Sequence, residues 1–453
     1  MSGRLSRILQ ALHRKHGDVV RTGPNELVFM SADAFRVIYG RPNSGHPPFL
    51  KAAWYRDRRS AHSNIITARD PEEHRELRKQ YSPAFRPNAL ADSELAVRKN
   101  VDMFTKKLGE LSRLGRGEVD VTLAYIWLTT DVIGDFVLGQ GFDCVAQWNR
   151  GFWDDVVLDS VKHAAIFNLV AQSRLLRPFL PVIMPPRIEE MNRRFDDVVK
   201  QKLQRCAEND GPGVKNSLAR TLRRQQQQQQ QQTRCRDQNY VREQAKAFIG
   251  AGSETVATSL AAATYFLLRN PTKLHVLQHE IRSRFPSRRD ITGHSTGGLR
   301  FLRGVVEECL RLFPPGTLPL PRICPGAFIG GRYVPAGTVV SVSPFVTARD
   351  GANFRTPDEF CPERWLNGDG ASADNTGASK PFSTGPRGCL GVNLAYLEMR
   401  LVLANLVYLF DWELVSDVDW MRDAREGIVW QKPALVVRFL PREVQDAPWA
   451  VGS

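Results

Sequence analysis

The sequence predicts a mainly α-helical protein with a smaller β-rich part. Helical periodicity dominates from about residue 70 to residue 282, and short strand-like runs separated by turns dominate from about residue 328 to residue 366. The chain has 453 residues, which exceeds the size of roughly 250–300 residues at which one hydrophobic core stops growing. The sequence therefore predicts either two domains or one large layered fold.

The composition excludes several classes of protein. Apolar residues make up 42% of the chain and charged residues 24%, which is close to the average for globular proteins and excludes a collagen-like or wholly disordered chain. No run of 18 uninterrupted apolar residues occurs, which argues against a transmembrane helix. Seven cysteines without a CxxC pair argue against a secreted disulfide framework and favour a reducing compartment.

The chain is strongly basic, with a formal net charge of +14. The excess lies in residues 1–100 and 201–300, whereas the remaining segments are slightly acidic. Basic patches of this kind suit an acidic protein partner, an anionic membrane surface or nucleic acid, and they also occur as ordinary solubilising charge.

The N-terminus predicts an amphipathic helix. Apolar residues recur there at helical spacing, at Leu5, Ile8, Leu9 and Leu12. This pattern is typical of the first helix of a fold, which we favour, and also of a mitochondrial presequence or a membrane-surface helix. Short strands are expected next at residues 19–21 and 27–29, around a turn at residues 23–25.

An uninterrupted glutamine run extends from Gln225 to Gln232. Such a run cannot build an apolar core, so we expect an exposed, disordered insertion between helices.

The segment from Gln244 to Arg269 predicts a buried helix, because it is apolar nearly all round and ends at Asn270-Pro271. Its middle reads Ala251-Gly252-Ser253-Glu254-Thr255. A glycine inside a helix costs about 1 kcal/mol relative to alanine, and an unpaired buried carboxylate costs more. A glycine and a carboxylate in the middle of a core helix therefore indicate that both residues have a functional role.

A second informative segment reads FSTGPRGCLG, from Phe382 to Gly391, and precedes a helix expected from about Gly391 to Leu409. A helix N-terminus and the nearby Arg387 both favour the thiolate form of Cys389. The glycines allow close approach of a flat ligand, against which Phe382 would pack. A single thiolate without a second soft ligand suits heme better than zinc or an iron–sulfur cluster.

This segment resembles the heme-binding signature of the cytochrome P450 monooxygenases, FxxGxRxCxG, with every fixed position matched. The resemblance extends over residues 10–445 and implies one mainly helical cytochrome P450 domain spanning 1–453. It implies Cys389 as the axial ligand of heme iron, with Phe382, Arg387 and Gly391 around the cofactor. GDVVRTGPNELVF and VPAGTVVSVSPF are most similar to filamentous-fungal members that tailor secondary metabolites.

Ala251-Gly252-Ser253-Glu254-Thr255 resembles the family's oxygen-activating segment, (A/G)Gx(D/E)T. The resemblance implies Glu254 and Thr255 as the catalytic pair that manages protons, with Ala251 and Gly252 leaving room beside the cofactor. An alcohol relays a proton and a carboxylate supplies it through water. The alternative is a threonine hydroxyl that bonds back to its own helix.

Glu308 and Arg311 form an ExxR pair, and Arg364 lies in a PERW segment. Spacing alone predicts an exposed ion pair. The resemblance instead implies a buried structural triad behind the heme.

The resemblance also implies three contacts to the heme propionates, from His74, Arg78 and Arg322. His74 and Arg78 lie four residues apart, on one helix face, and arginine suits carboxylates. His275 and His279 have the same spacing and could bind a metal, but a third ligand is lacking and the family places this helix in solvent.

The resemblance implies insertion of one oxygen atom from O₂ into a lipophilic molecule, by hydroxylation or epoxidation. Alternatives are an O₂-independent isomerase or dehydratase, a peroxygenase, or an inactive heme-binding relic. Segments expected at the substrate are residues 49–66, 159–181, 248–255, 315–320 and 428–430.

No nicotinamide or flavin motif is present, so a separate NADPH-dependent flavoprotein reductase is the expected partner. Nucleic acid is not an expected partner. The family resemblance implies a cytosol-facing location at the endoplasmic reticulum membrane. This chain shows no N-terminal anchor, so peripheral membrane contact is the expectation.

Overall fold

The computed structural model describes residues 3–41, 47–56, 62–148, 186–208, 218, 238–366, 374–444 and 446–449. The glutamine run and the expected substrate segment 159–181 lie outside these residues.

The described helices follow the chain in the order α1 (Leu5–His16), α2 (Ala32–Tyr39), α3 (Pro71–Tyr81), α4 (Pro87–Arg113), α5 (Val121–Leu138), α6 (Cys144–Gln147), α7 (Pro186–Glu208), α8 (Gln238–Arg269), α9 (Pro271–Arg284), α10 (Gly293–Gly297), α11 (Arg300–Leu312), α12 (Pro344–Thr347), α13 (Val392–Leu409) and α14 (Trp420–Asp423). The described strands are β1 (Val19–Gly23), β2 (Glu26–Phe29), β3 (Leu50–Lys51), β4 (Glu118–Asp120), β5 (Arg322–Ile323), β6 (Ala327–Ile329), β7 (Arg332–Val334), β8 (Val339–Val342), β9 (Phe410–Leu414), β10 (Arg425–Glu426), β11 (Trp430–Gln431) and β12 (Val436–Pro441). The mainly α-helical fold with a smaller β-rich part is confirmed.

The main sheet has the strand order β1-β2-β8-β5-β3. The hairpin β1–β2 joins β8 in parallel, and β5 pairs with both β8 and β3 in antiparallel. This arrangement brings residues that are far apart in sequence to one edge of the sheet. In particular, Lys51 lies opposite Arg322 in the β3–β5 pair.

Helix α8 is the central helix and packs along α5. The sequence placed its start at Gln244, whereas the structure extends it to Gln238. Its 32 residues span roughly 48 Å at the α-helical rise. The first turns carry more polar residues than the rest, so the apolar pattern alone missed them.

Helix α1 confirms the prediction that the N-terminal segment is the first helix of the fold. Leu9 is buried and packs in a small core with Val28 and Val346. Leu5 and Ile8 remain 40% and 48% exposed. The helix therefore uses one apolar face for the fold and leaves two apolar side chains at the surface.

Two described helices, α5 and α13, have the length and apolar composition of a membrane span. Their apolar stretches are 89% and 72% buried inside the fold. Both are core helices, which explains their composition without a membrane.

Candidate functional site

The loop that carries Cys389 precedes α13 and is held by its own backbone. The Cys389 N–H donates to the carbonyl oxygen of Phe382 at 2.8 Å. Gly385 has a φ of +69°, and a Cβ there would lie 2.2 Å from the carbonyl oxygen of Tyr39. Only glycine therefore fits this position. The sequence assigned the loop's glycines to ligand approach, and the structure gives Gly385 a packing role against the end of α2.

The surroundings of Cys389 indicate a recess. Its side chain is exposed at the surface, yet protein atoms surround it closely enough that burial raises the pKa of the thiol. The N–H of Gly391 and the guanidinium of Arg78 act in the opposite direction and lower that pKa. A group that is both solvent-accessible and desolvated is typical of a narrow concave site. The chain thus presents a sulfur donor to a cavity, with a cation beside it.

A cluster of five basic side chains lies near this loop: Lys51, His74, Arg78, Arg322 and Arg387. Burial and the other four cations lower the pKa of His74 to about 3. Burial, Arg387 and Arg322 lower the pKa of Lys51 to about 6. Burial, followed by Arg322, lowers the pKa of Arg387 to about 10. The basic side chains of this cluster therefore repel one another.

The hydrogen bonds of these cations go to uncharged acceptors. Arg78 donates to the carbonyl of Gly388 at 2.7 Å, and Arg387 donates to the carbonyls of Ala68 and Arg69 at 2.7 and 2.9 Å. Arg322 donates to the Tyr55 hydroxyl at 3.1 Å.

The acids whose charges reach Arg387 include Asp70 and Glu73, and both are exposed. Lys51 and Arg322 lie directly opposite each other in the β3–β5 pair. Like charges in this arrangement are destabilising. Buried cations without a counter-charge cost several kcal/mol each. The cluster is thus built to receive an anionic group, and it fits the two carboxylates of a heme.

His74 and Arg78 reach the cluster from α3. The carboxylate of Asp70 caps this helix by accepting the N–H of Glu73 at 2.8 Å, and Pro71 begins it. The two side chains share one face of the helix. Lys51 was not identified in the sequence, because a lone lysine in a two-residue strand carries no motif.

The middle of α8 has an open side. Gly250 and Ala251 are exposed although the residues that follow are mostly buried. A Cβ at Gly250 would meet no protein atom within 4 Å. Gly252 points elsewhere, since a Cβ there would lie 2.5 Å from the Ile133 side chain on α5. The open side thus lies at Gly250 and Ala251, and Gly252 allows close packing of two helices.

Thr255 lies one turn after Ala251 and is half-buried. Its hydroxyl donates to the carbonyl oxygen of Ala251 at 2.7 Å, which is the bond back to its own helix that the sequence left open as an alternative. The hydroxyl oxygen retains its lone pairs and can still accept a hydrogen bond.

Glu254 is buried and paired. The Nζ of Lys432 contacts its Oε1, and the Thr258 hydroxyl donates to the same oxygen at 3.2 Å. The sequence predicted a buried carboxylate at this position but did not identify Lys432, which lies 178 residues further along the chain.

The thiol loop and α8 are linked by aromatic side chains. A Cβ at Gly391 would lie 3.8 Å from the Phe85 ring, and the Phe85 ring centroid lies 5.7 Å from that of Phe248 on α8. The Phe382 ring packs 5.1 Å from Tyr396 on α13. These contacts place the Cys389 loop and the open segment of α8 in one neighbourhood.

Glu308, Arg311 and Arg364 form the buried network that the resemblance implied. Arg311 binds both oxygens of Glu308 at 2.8 Å, and Arg364 donates to the same carboxylate at 3.0 Å. The Cys361 N–H and the Trp365 indole add two more donors. The network ties α11 to the PERW turn at Pro362–Trp365.

The donor set fits heme better than a metal held by several side chains. In the part of the chain that the structure describes, no group of three or more His, Cys, Asp or Glu could hold an ion. His275 and His279 are exposed on α9, as expected. A single thiol in a recess, next to a cluster of unbalanced cations, matches the heme-thiolate class of proteins.

The comparisons with known proteins agree with this class. The family model for cytochrome P450 matches residues 1–439. The cytochrome P450 monooxygenase BOA3 of Botryotinia fuckeliana is 35% identical over 448 residues, covering 97% of this chain and 87% of its own. The averantin hydroxylase of Aspergillus parasiticus is 34% identical over 446 residues, covering 97% and 88%. That of Dothistroma septosporum is 32% identical over 460 residues, covering 96% and 82%.

The chain therefore belongs to the cytochrome P450 family. It is a heme-thiolate monooxygenase whose relatives include enzymes of fungal secondary metabolism. Members of this family use heme with cysteine thiolate ligation, O₂ and a redox partner, and they act on lipophilic substrates.

Proposed function

We propose that this enzyme hydroxylates or epoxidises a lipophilic small molecule in fungal secondary metabolism, with Cys389 as the axial ligand of its heme. The observation that carries the proposal is the Cys389 thiol on the wall of a recess, beside the unbalanced cationic cluster. Hydroxylation is also the reaction that the averantin hydroxylases carry in their names.

The basic cluster would hold the two propionates. Lys51 and Arg322 approach from the β3–β5 pair, His74 and Arg78 from α3, and Arg387 from the thiol loop. An anion among these groups offsets their mutual repulsion and restores charge to Lys51. Arginine adds bidentate geometry that suits carboxylates.

Heme supplies the oxygen-activating redox chemistry of the enzyme once it is bound, and thiolate ligation favours O–O cleavage. The chain contributes the proton management. The Thr255 hydroxyl, held by the Ala251 carbonyl, accepts and passes a proton at its oxygen, and Glu254 on the same helix supplies charge next to it. The exposed backbone at Gly250 and Ala251 leaves room for small molecules beside this hydroxyl.

The segments expected at the substrate are mainly apolar, which suits a lipophilic molecule. Phe248 lies on α8, and the turns at residues 315–320 and 428–430 contribute mainly apolar side chains. Burial of apolar surface would drive substrate binding.

Electrons would come from a separate NADPH-dependent flavoprotein reductase, attracted by the basic excess of the chain. If docking is electrostatic, raising the ionic strength lowers the rate of electron transfer.

We further propose a cytosol-facing location at the endoplasmic reticulum membrane. The exposed Leu5 and Ile8 on α1, with Arg4 and Arg7 beside them, suit peripheral contact with an anionic lipid surface.

The test is the absorption spectrum of the reduced, CO-bound holoenzyme. Thiolate-ligated heme absorbs at a characteristically long wavelength. We expect this band in the wild-type enzyme and its loss in Cys389→Ala. Absence of the band in folded, heme-loaded wild-type protein, or its persistence in Cys389→Ala, would contradict the proposal. Cys361→Ala is the matched control, since Cys361 directly precedes the PERW turn and its thiol donates to Glu363.

A further inference from the structure

We propose that Lys432 is a positioning residue, which holds the carboxylate of Glu254, the residue before Thr255, through a buried ion pair. This inference rests on the role proposed above for Glu254 in proton management. It adds a residue from the turn after β11, a part of the chain where the sequence shows no motif.

Thr258 is hydrogen-bonded to both partners of the ion pair. The Nζ of Lys432 contacts Oε1 of Glu254 and donates to the Thr258 hydroxyl at 2.7 Å. That hydroxyl donates in turn to Oε1 at 3.2 Å. The side chains of Lys432 and Glu254 are 1% and 5% exposed, so water does not compete for these bonds. The three groups therefore hold one another in a single arrangement.

The second oxygen of the Glu254 carboxylate takes no part in these bonds. Oε2 of Glu254 is buried and has no hydrogen-bond partner among the described residues. A buried carboxylate oxygen without a donor is costly, and a stabilising role alone would favour saturating it. The arrangement thus leaves one carboxylate oxygen without a donor from the described residues.

Stability gives no sufficient reason for this pair. Replacing a buried ion pair with apolar residues of similar volume is often neutral or stabilising, whereas removing one partner is strongly destabilising. Glu254 directly precedes Thr255, whose hydroxyl lies on the same helix as the open backbone at Ala251. A lysine that holds this carboxylate in one position therefore has a functional explanation.

Among the described residues, most acids on the elements packed against α8 have partners other than Lys432. On α5, Asp131 accepts backbone N–H groups of residues 142, 144 and 145, and Asp135 pairs with Lys99. Further acids bonded elsewhere include Asp196 with Arg242 and Lys246, Glu308 with Arg311, Glu363 with Lys273, and Asp411 with Arg282. Glu398 on α13 is fully buried, and burial keeps its pKa well above the ordinary value. In the described part of the chain, Lys432 is the cation bonded to Glu254.

The experiment compares the holoenzymes of the wild type, Lys432→Met, Lys432→Arg, Glu254→Gln and the double variant Glu254→Gln/Lys432→Met. NADPH oxidation and hydrogen peroxide release are followed from pH 5 to 9 with a flavoprotein reductase and no added substrate. Thermal unfolding is recorded over the same range. Lys99→Met is the matched control, because Lys99 is exposed and pairs with a different acid.

We expect Lys432→Met to show a new pH inflection in both measurements. Loss of a neighbouring opposite charge shifts proton uptake by a carboxylate upward by about one to three pH units. The double variant should lack the inflection, and Lys432→Arg should behave as the wild type. A protein that merely lost packing would show no inflection that depends on Glu254.

A folded Lys432→Met with the pH profile of the wild type would overturn the inference. If Lys432→Met fails to fold but the double variant folds, the unpaired carboxylate is responsible, which supports it. If both fail, Lys432 serves packing independently of Glu254, which overturns it. The role of Glu254 in the proposed function fails separately, if Glu254→Gln releases the same fraction of peroxide per NADPH as the wild type while the inflection still appears in Lys432→Met unfolding.

Discussion

Arg311 binds Glu308 through two parallel hydrogen bonds of 2.8 Å each, and both side chains are fully shielded from water. Three further donors, from Arg364, Trp365 and the Cys361 backbone, complete the same carboxylate. Arg311 also donates to the carbonyls of Ala348 and Pro357. Glu308 and Arg311 together thus fasten α11 to distant turns of the chain.

Glu308→Ala should be severely destabilising, because it leaves two buried guanidinium groups without their shared partner. Breaking a buried pair in this way costs about 3–5 kcal/mol. Chemical denaturation of the holoenzyme would measure the loss of unfolding free energy. Glu413→Ala is the control, since its partner Arg438 is 44% exposed and surface pairs contribute only about 0–1 kcal/mol. Equal effects of the two substitutions would contradict the buried network.

Lys51→Met should remove a pH dependence from heme binding. Burial and the neighbouring arginines lower the pKa of Lys51 to about 6 in the heme-free chain, and a propionate beside it would raise that pKa again. Above pH 6 the heme-bound form then holds one more proton than the free form. Heme affinity should consequently fall with rising pH, by at most about tenfold per pH unit.

Heme titrations between pH 6 and 9 would measure this slope in the wild type and in Lys51→Met, which should be flatter. Lys79→Met, on the exposed side of α3, is the control. A slope that is unchanged in Lys51→Met would show that Lys51 does not face the propionates.

The sequence predicted those features that repeat locally or form a motif. The Cys389 loop, the face shared by His74 and Arg78, and the α8 segment around Thr255 all depend on residues within a few positions of one another. The pairing of Glu308, Arg311 and Arg364 spans 56 residues, and only the resemblance to a known family indicated it. Spacing alone favoured an exposed ion pair there.

Lys51, Lys432 and the packing role of Gly252 could not be predicted, because each depends on a partner brought close by the tertiary fold. Lys51 meets Arg322 only through the β3–β5 pair. Gly252 is explained by Ile133 on another helix. A single sequence shows the residue types at such positions but not which of them become neighbours.

Gly252→Ala and Gly250→Ala should have opposite effects, although the two positions lie in the same helix. The Cβ at position 252 would lie 2.5 Å from the Ile133 side chain. Forcing an extra methyl into a packed core costs about 1–3 kcal/mol, which opposes the gain of up to about 1 kcal/mol from replacing a helix glycine. The Cβ at position 250 meets no protein atom within 4 Å, so alanine there should stabilise the helix by up to about 1 kcal/mol. Thermal unfolding of the heme-free variants would measure both changes. A loss of stability in Gly250→Ala as large as that in Gly252→Ala would contradict the open face assigned to Gly250.

Thr255→Ala should separate the use of reductant from the formation of product. The Thr255 hydroxyl donates to the Ala251 carbonyl at 2.7 Å, and its oxygen remains an acceptor for the proton that oxygen activation consumes. Alanine keeps the helix, so NADPH oxidation should continue while product formation falls by a factor on the order of 10² and hydrogen peroxide accumulates. Product, NADPH and peroxide would be quantified together, with a lipophilic substrate identified by the change it causes in the heme spectrum. Ser259→Ala is the matched control, because the Ser259 hydroxyl makes the same kind of bond, to the Thr255 carbonyl at 3.0 Å, and should leave coupling intact. Undiminished product formation by Thr255→Ala would instead support a reaction that needs no O₂ activation, such as an isomerisation, a dehydration or a peroxide-driven oxidation.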